Sequence, residues 1–326
     1  MTNVLNWGLL STARINRALI PVLMSSKRNR LTTVASRYLA AAETYAQEWK
    51  IPRAYGSYEA LIDDPDVHVI YNPLPNNLHA EWTIRALRAG KHVLCEKPLA
   101  LTVEDVDAMA AAARETENVL AEAFMYRHHP QTKRVREIVE SGSIGRLQVI
   151  RGAFTFNLKR PGDIRLKAET GGGSIWDVGC YPVSYARMIA GAVPIEVFGW
   201  QVQAESGVDV VFAGQMRFPN DVLVQFDCGF RSPERKYMEF IGSEGMLHVP
   251  TPFTPGTDER LELRSGDATK TIIVKGEELY RGEVEDMANA VLDGASPRVS
   301  LADSRGNVAT IVALLQSARS GMPVRL

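Results

Sequence analysis

The chain has 326 residues, 37 Lys and Arg against 38 Asp and Glu, a formal net charge of −1 and 45% hydrophobic residues. That length suits about two domains with a sizeable core, and near-neutrality argues against a broad nucleic-acid or anionic-membrane surface. Three scattered cysteines (Cys95, Cys180, Cys228) are too few for a disulfide framework or zinc cluster, and no apolar run nears the roughly 18 residues of a membrane span.

In chain order, short β-rich runs at 4–10, 31–35, 67–71, 92–95 and 119–121 alternate with helical stretches at 39–49, 80–89 and 103–116. Strand–helix alternation with short connections predicts a parallel sheet covered on both faces. Thr102, with Asp105 three residues on, marks the start of the third of these helices. Pro21 lies inside an earlier helical stretch and is expected to kink or restart it.

Beyond about residue 124 the rhythm changes. Segments 147–157, 195–203, 208–218 and 222–230 are longer, alternating and rich in Val and Phe. Around Pro219-Asn220-Asp221, Met216 and Phe218 alternate with polar residues, as do Val222, Val224 and Phe226 beyond it. That pattern predicts a hairpin in an antiparallel sheet with one drier face. Helices follow near 283–292 and 302–318. The fold class expected is α/β plus α+β: a Rossmann-type doubly wound parallel sheet over 1–124, and over 125–326 an α+β domain on a large, mostly antiparallel open sheet. The second domain is expected to bind substrate and form the oligomer, its last helix packing back on the first.

Open parallel sheets bind ligands beyond the carboxyl ends of their strands. The first such turn is Ser11-Thr12-Ala13-Arg14-Ile15-Asn16, and a dinucleotide fingerprint would place glycines at Ser11, Ala13 and Asn16. None is Gly, yet Ser and Ala are small enough for a backbone turn against a pyrophosphate; an ordinary strand-to-helix turn is the competing reading. At the end of the second strand stand Ser36 and Arg37. An acidic residue there would suit the ribose of NAD, whereas Arg suits a 2′-phosphate, so NADP is favoured over NAD.

Two further segments carry chemistry. One is His92-Val93-Leu94-Cys95-Glu96-Lys97-Pro98, a strand delivering a cation to the ligand crevice, with Pro98 fixing the turn. The other is Gly171-Gly172-Gly173-Ser174-Ile175-Trp176-Asp177-Val178-Gly179-Cys180-Tyr181, where Asp177 and Tyr181 share a helical face. Taken singly, each has a plainer reading: Lys97 as a surface lysine, Asp177 as the capping-box partner of Ser174, Tyr181 as a packing aromatic. The adjacent His128 and His129 lack the spacing of helical metal ligands.

With the early "WGLLSTARIN", the "NPLPNNLHAEWTIRALRAGKHVLCEKPLAL" block and "EAFMYRHHPQ", these segments resemble the glucose–fructose oxidoreductase/inositol dehydrogenase/MocA family over essentially the whole chain. Tyr rather than His at position 181 is similar to the dihydrodiol dehydrogenases and NADP-dependent D-xylose dehydrogenases. The resemblance implies hydride transfer between NADP(H) and a sugar or vicinal diol. An alcohol losing hydride must also lose its hydroxyl proton. Tyr, with a pKa of about 10, becomes an effective base only when a nearby ammonium favours the phenolate. Tyr181 is thus expected as acid/base and Lys97 as the cation that lowers its pKa and orients the substrate, with Asp177 accepting from substrate hydroxyls or supporting Lys97. By the same resemblance Leu74, Pro75, Asn76, His79, Glu96 and Lys97 line the cofactor, Arg127 and Arg165 lie near nicotinamide or substrate, and Tyr280 is a later cofactor contact. A homodimer or homotetramer through the C-terminal sheet is implied as well. The N-terminus lacks a signal-peptide pattern, so a cytoplasmic setting is expected. A nucleotide-responsive regulator and an NAD-dependent glycosidase are the alternatives.

Overall fold

The structure is a computed structural model that describes residues 4–160 and 162–326. It divides into two compact units, one formed by residues up to His128 with Tyr280–Arg305, the other by His129–Leu279 with Gly306–Leu326.

In the first unit six parallel strands lie in the order β3-β2-β1-β4-β5-β6. They are β1 (Leu5–Leu10), β2 (Asn29–Ala35), β3 (Arg53–Tyr55), β4 (Val69–Asn72), β5 (His92–Glu96) and β6 (Leu120–Ala123). This order reverses direction between β1 and β4, which opens a crevice at their carboxyl ends. The strands expected from apolar runs all form. The unanticipated β3 is three residues long and only half-buried, so it carries no apolar run to read.

Helices α1 (Asn16–Ser25), α2 (Leu39–Trp49), α3 (Tyr58–Ile62), α4 (His79–Arg88) and α5 (Val103–Thr116) connect these strands. Thr102 starts α5 as expected, its hydroxyl accepting the Asp105 N–H at 3.1 Å. Pro21 does not restart α1, which runs through it as one helix. Pro21 and Arg17, whose carbonyl loses its donor, both lie on the exposed side, so the missing bond falls away from the buried face. A later helix, α8 (Arg281–Asp293), completes this unit: Val284, Met287 and Ala288 join Trp7, Leu9, Leu19, Val34 and Tyr71 in one apolar cluster. Arg28 fastens its far end, donating to Asn289 and Asp293 at 2.6 Å each.

The second unit is built on a nine-stranded sheet among the described residues, in the order β14-β13-β12-β11-β7-β10-β9-β8-β15. Its strands are β7 (Leu147–Asn157), β8 (Glu196–Gln203), β9 (Asp209–Arg217), β10 (Leu223–Gly229), β11 (Arg231–Gly242), β12 (Gly245–Val249), β13 (Asp258–Ser265), β14 (Ala268–Lys275) and β15 (Val324–Arg325). Neighbours are antiparallel except β7 and β10. The expected hairpin joins β9 to β10, with Asn220 and Asp221 left-handed at φ 63° and 62°. Asn and Asp tolerate that conformation better than other side chains, which is why this tripeptide turns here. Along β9 and β10 every second residue (Phe212, Met216, Val224, Phe226, Cys228) is buried, so one face is the dry one. Helices α6 (Pro130–Glu140), α7 (Cys180–Ala190) and most of α9 (Leu301–Ser320) belong to this unit. No helix among the described residues is long and apolar enough to cross a membrane.

Candidate active site

The turn after β1 reaches a glycine geometry without glycine. Ser11 has φ 111°, a left-handed value that costs a side-chain-bearing residue about 1–3 kcal/mol. Its N–H donates to the carbonyls of Leu9 and Ala35, both at 3.1 Å. Asn16, fully buried where a third glycine would stand, turns its amide back to donate to the Ser11 carbonyl at 2.8 Å. A side-chain staple therefore holds the loop. Thr12, Ala13 and Ile15 are half-buried, and Arg14 is exposed. Thr12, Arg14, Arg17 and Thr44 border an open cleft of about 460 Å³ beside this turn. At the end of β2 the Ser36 N–H donates to the Tyr55 carbonyl at 3.0 Å. The adjacent Arg37 is exposed and enters no ion pair among the described residues.

Beyond β4, buried Leu74 leads into Pro75 and Asn76. Asn72 shapes this loop: its carbonyl oxygen accepts the Leu74 N–H at 3.3 Å, and its amide donates to the His79 carbonyl at 3.2 Å and to Thr83 at 3.1 Å. His79 is itself buried, with Nδ1 2.8 Å from the Pro98 carbonyl and Nε2 2.8 Å from that of Leu74. It ties the loop after β4 to the loop after β5. Burial lowers its pKa while the two carbonyls oppose the shift.

Strand β5 ends in Glu96, and the Lys97–Pro98 peptide is cis. The Glu96 carboxylate accepts the Tyr71 hydroxyl at 2.5 Å and the Lys97 N–H at 3.2 Å. Burial, then the Glu96 charge, holds the Tyr71 phenol far above its usual range. Tyr280, half-buried before α8, is pushed up by burial and by Glu96 and Glu283. Arg127, nearly buried, pairs with Asp303 at 2.7 Å.

Glu122 of β6 supports the turn after Pro98 by accepting the Leu99 N–H at 2.8 Å. Burial lifts its pKa to about 7, partly offset by that hydrogen bond. A carboxyl raised in the folded state loses stability as pH climbs from the unfolded pKa of about 4.3 to the folded value, by about 4 kcal/mol in all. Glu122→Gln keeps an acceptor for Leu99 and removes the titration. Its melting temperature relative to native should therefore rise between pH 5 and 8, by about 5 °C. A difference that stays flat with pH would contradict the assignment.

In the second unit, Ser174 opens not an α-helix but a π-type turn over Ile175–Gly179, which passes into α7 at Cys180. Pro182 cannot donate to the Val178 carbonyl, so regular α spacing is broken just there. The turn is capped from β9: Asp209 accepts the Ser174 hydroxyl at 2.5 Å and the Ile175 N–H at 2.8 Å. Gly173, at φ 125°, is required because a Cβ there would lie 2.4 Å from the Asp209 carboxylate. Asp177 accepts from Arg165 at 2.6 Å, so the structure joins these two candidates and leaves Ser174 engaged with Asp209. Tyr181, 5% exposed, packs its ring against Phe154 and Phe253 at 5.4 and 5.5 Å.

Sequence reasoning missed Asn16, Tyr71, Glu122, Asp209 and Glu283. Asn16 lies in the β1–α1 turn and Glu122 opens the 122–131 block, neither with a role the local residues disclose; for Tyr71, Asp209 and Glu283 the one available signal was polar residues at positions whose periodicity marks them for burial. His129 caps α6 by accepting the Gln131 N–H at 3.1 Å, while burial drives His128 down to about 3. The described residues hold no cluster suited to a metal ion.

Two family descriptions match the chain: the oxidoreductase family with an NAD-binding Rossmann fold over residues 5–124, and the GFO/IDH/MocA C-terminal domain over 132–248. The chain belongs to the Gfo/Idh/MocA oxidoreductase family. It is 36% identical to D-xylose 1-dehydrogenase (NADP(+)) 2 of Haloferax volcanii, covering 98% of this chain and 99% of that one. With the trans-1,2-dihydrobenzene-1,2-diol dehydrogenase of Mus musculus it shares 35% identity, covering 77% and 76%. A 3-ketoreductase from Actinomadura kijaniata, solved with NADP and TDP-benzene, superposes with a TM-score of 0.92 at 31% identity, covering 97% and 98%. This Gfo/Idh/MocA chain is therefore an oxidoreductase dependent on a nicotinamide dinucleotide. The expected cofactor, NADP, is the one named for the xylose dehydrogenase and bound in the ketoreductase. The strained turn at Ser11 and the unpaired Arg37 fit such a group, offering backbone N–H groups to a pyrophosphate and a guanidinium to a phosphate.

Proposed function

We propose that this protein is an NADP-dependent dehydrogenase or reductase of a sugar or vicinal diol, with Tyr181 exchanging the hydroxyl proton. Lys97 lowers the Tyr181 pKa and orients the substrate oxygen. The observation that carries the reading is Lys97 at the carboxyl end of β5, in the crevice of a doubly wound sheet, in a chain that also keeps a tyrosine within its glycine-rich second motif. Single-residue variants of the 3-ketoreductase replace one Lys and one Tyr, and those two residues stand as far apart in sequence as Lys97 and Tyr181.

The bound nicotinamide accepts or gives the hydride. Everything else falls to the protein. Ser11 to Ile15 hold the pyrophosphate, Ser36 and Arg37 the 2′-phosphate, and Leu74 to Asn76 with Glu96 the nicotinamide half, the first three of these braced by His79. Asp177, held in place by Arg165, accepts from substrate hydroxyls. A regulator would need no matched base and cation, which favours an enzyme. The outer sheet face, where Trp200 is 61% exposed beside Val202 and Leu223 is exposed farther along, is the surface for a homodimer or homotetramer, and the three buried free thiols suit a cytoplasmic setting.

Nicotinamide absorbance followed with NADP and NAD against aldoses, vicinal diols and glycosides tests the reading. Turnover with NADP and an aldose or diol is expected. Tight binding without turnover would establish the regulator instead, and glycoside cleavage without net reduction the glycosidase.

A further inference from the structure

The turn between β1 and α1 holds its shape through a side chain where a dinucleotide fingerprint would use glycine. The N–H groups of Thr12, Ala13, Arg14 and Ile15 donate to no other group among the described residues, so four successive donors at the start of α1 are left for a ligand or water. How those donors are aimed depends on Ser11, whose φ of 111° lies far beyond the left-handed value of about 57° that small polar residues tolerate. Two clamps hold it there. On the amide side the Ser11 N–H is shared between the carbonyls of Leu9 and Ala35, at the ends of two neighbouring strands. On the carbonyl side no backbone N–H among the described residues reaches the Ser11 oxygen, and the Asn16 amide donates to it at 2.8 Å.

Packing does not account for Asn16. Its side chain is wholly buried on the first turn of α1, and Asn is among the weaker helix formers. Its Oδ1 is buried without a hydrogen-bond partner, the Tyr45 hydroxyl being near enough to feel it but outside bonding geometry. An alkyl residue would fill that place and leave no polar atom over. What the amide alone supplies is the donor to Ser11.

We infer that Asn16 is a positioning residue for the dinucleotide, holding Ser11 in a glycine conformation so that the pyrophosphate meets a turn already shaped for it. The inference rests on the reading that Ser11 to Ile15 hold the pyrophosphate. With Asn16 in place, the strain at Ser11 is met when the chain folds. Without it the turn relaxes toward negative φ, and the nucleotide binds only the strained fraction, which raises the apparent Kd by the reciprocal of that fraction. Strain of this kind corresponds to a factor of about 5 to 150. Glycine at the same position has no such preference, so the staple loses its value together with the side chain it restrains.

Fluorescence titration of the whole protein with NADPH, around a double-substitution cycle, tests this. Asn16→Ala should weaken NADPH binding at least about fivefold, whereas the same change made on top of Ser11→Gly should cost less than about twofold. The melting temperature of unliganded Asn16→Ala should stay within about 3 °C of native, because release of the unpaired oxygen and the higher helix propensity of Ala offset the lost hydrogen bond. A residue that serves packing alone would show the reverse, with stability lost and affinity kept. Should Asn16→Ala not fold, Asn16→Leu keeps the branched volume without the donor, and the same loss and the same relief by Ser11→Gly are expected. Ala13→Asp separates the inference from the reading beneath it, since a carboxylate in the turn repels a pyrophosphate and should lower NADPH affinity steeply. Native-like affinity in Ala13→Asp would place the pyrophosphate elsewhere and overturn both. Lost affinity in Ala13→Asp beside unchanged affinity in Asn16→Ala, or an equal cost of Asn16→Ala with and without Ser11→Gly, would leave the reading standing and overturn the inference alone.

Discussion

Tyr181→Phe should lose about 10²–10⁴-fold in turnover with the best substrate while binding NADP as tightly as native, because removing a positioned acid or base typically costs that much. The ring packing against Phe154 and Phe253 survives the change, since only the hydroxyl is deleted. Lys97→Met should lose a comparable factor and show a further sign that simple misfolding would not. If the ammonium lowers the tyrosine pKa, the alkaline rise in dehydrogenase rate moves toward the ordinary tyrosine value of about 10 when the charge is removed. Nucleotide affinity, read by fluorescence titration, separates loss of chemistry from loss of cofactor. Full turnover in Tyr181→Phe, or an unshifted pH profile in Lys97→Met, would sink the assigned roles.

The first sheet was legible because buried parallel strands leave apolar runs in the sequence, and their parallel direction follows from alternation with helices, whereas the strand order does not. β3 left no such run, and the staple at Asn16 was invisible because a buried Asn facing a backbone carbonyl resembles any polar residue. The long strand β11 was unreadable for a different reason: its first half is exposed and charged (Arg231, Glu234, Arg235), so no alternation marks it. At the site, motifs exposed Glu96-Lys97-Pro98 and the glycine-rich Asp177–Tyr181 segment because both are local. Asp209 caps Ser174 from 35 residues away, a pairing made by the fold alone. Long-range partners of a local motif leave no spacing to recognise. The pairing of Asp177 with Arg165 likewise depends on how the loop before the glycines returns, which composition does not encode.

Arg37→Asp should reverse the nucleotide preference. Arg37 stands exposed at the carboxyl end of β2, outside any ion pair among the described residues, so its guanidinium is available to a 2′-phosphate and no internal contact is lost when it is replaced. Each hydrogen bond between charged groups contributes about 1.5–3 kcal/mol, and a forked pair would be worth a factor of about 10² to 10⁴ in affinity. Aspartate removes that pair, repels the phosphate and offers an acceptor to the ribose hydroxyls of NAD. KM for NADP should rise by at least about 10²-fold while KM for NAD falls, with kcat for either cofactor changing little, because the contact lies far from the reacting carbon. Salt gives an independent check. Native KM for NADP should climb with ionic strength, and the variant should lose most of that dependence, since an exposed charge pair is screened within a Debye length of about 8 Å. Stability should move by no more than about 0.5 kcal/mol, as for other surface substitutions. An NADP preference that survives Arg37→Asp would transfer the phosphate to the cleft beside the β1–α1 turn, where Arg14 and Arg17 are the remaining cations, and Arg14→Ala would then carry the loss.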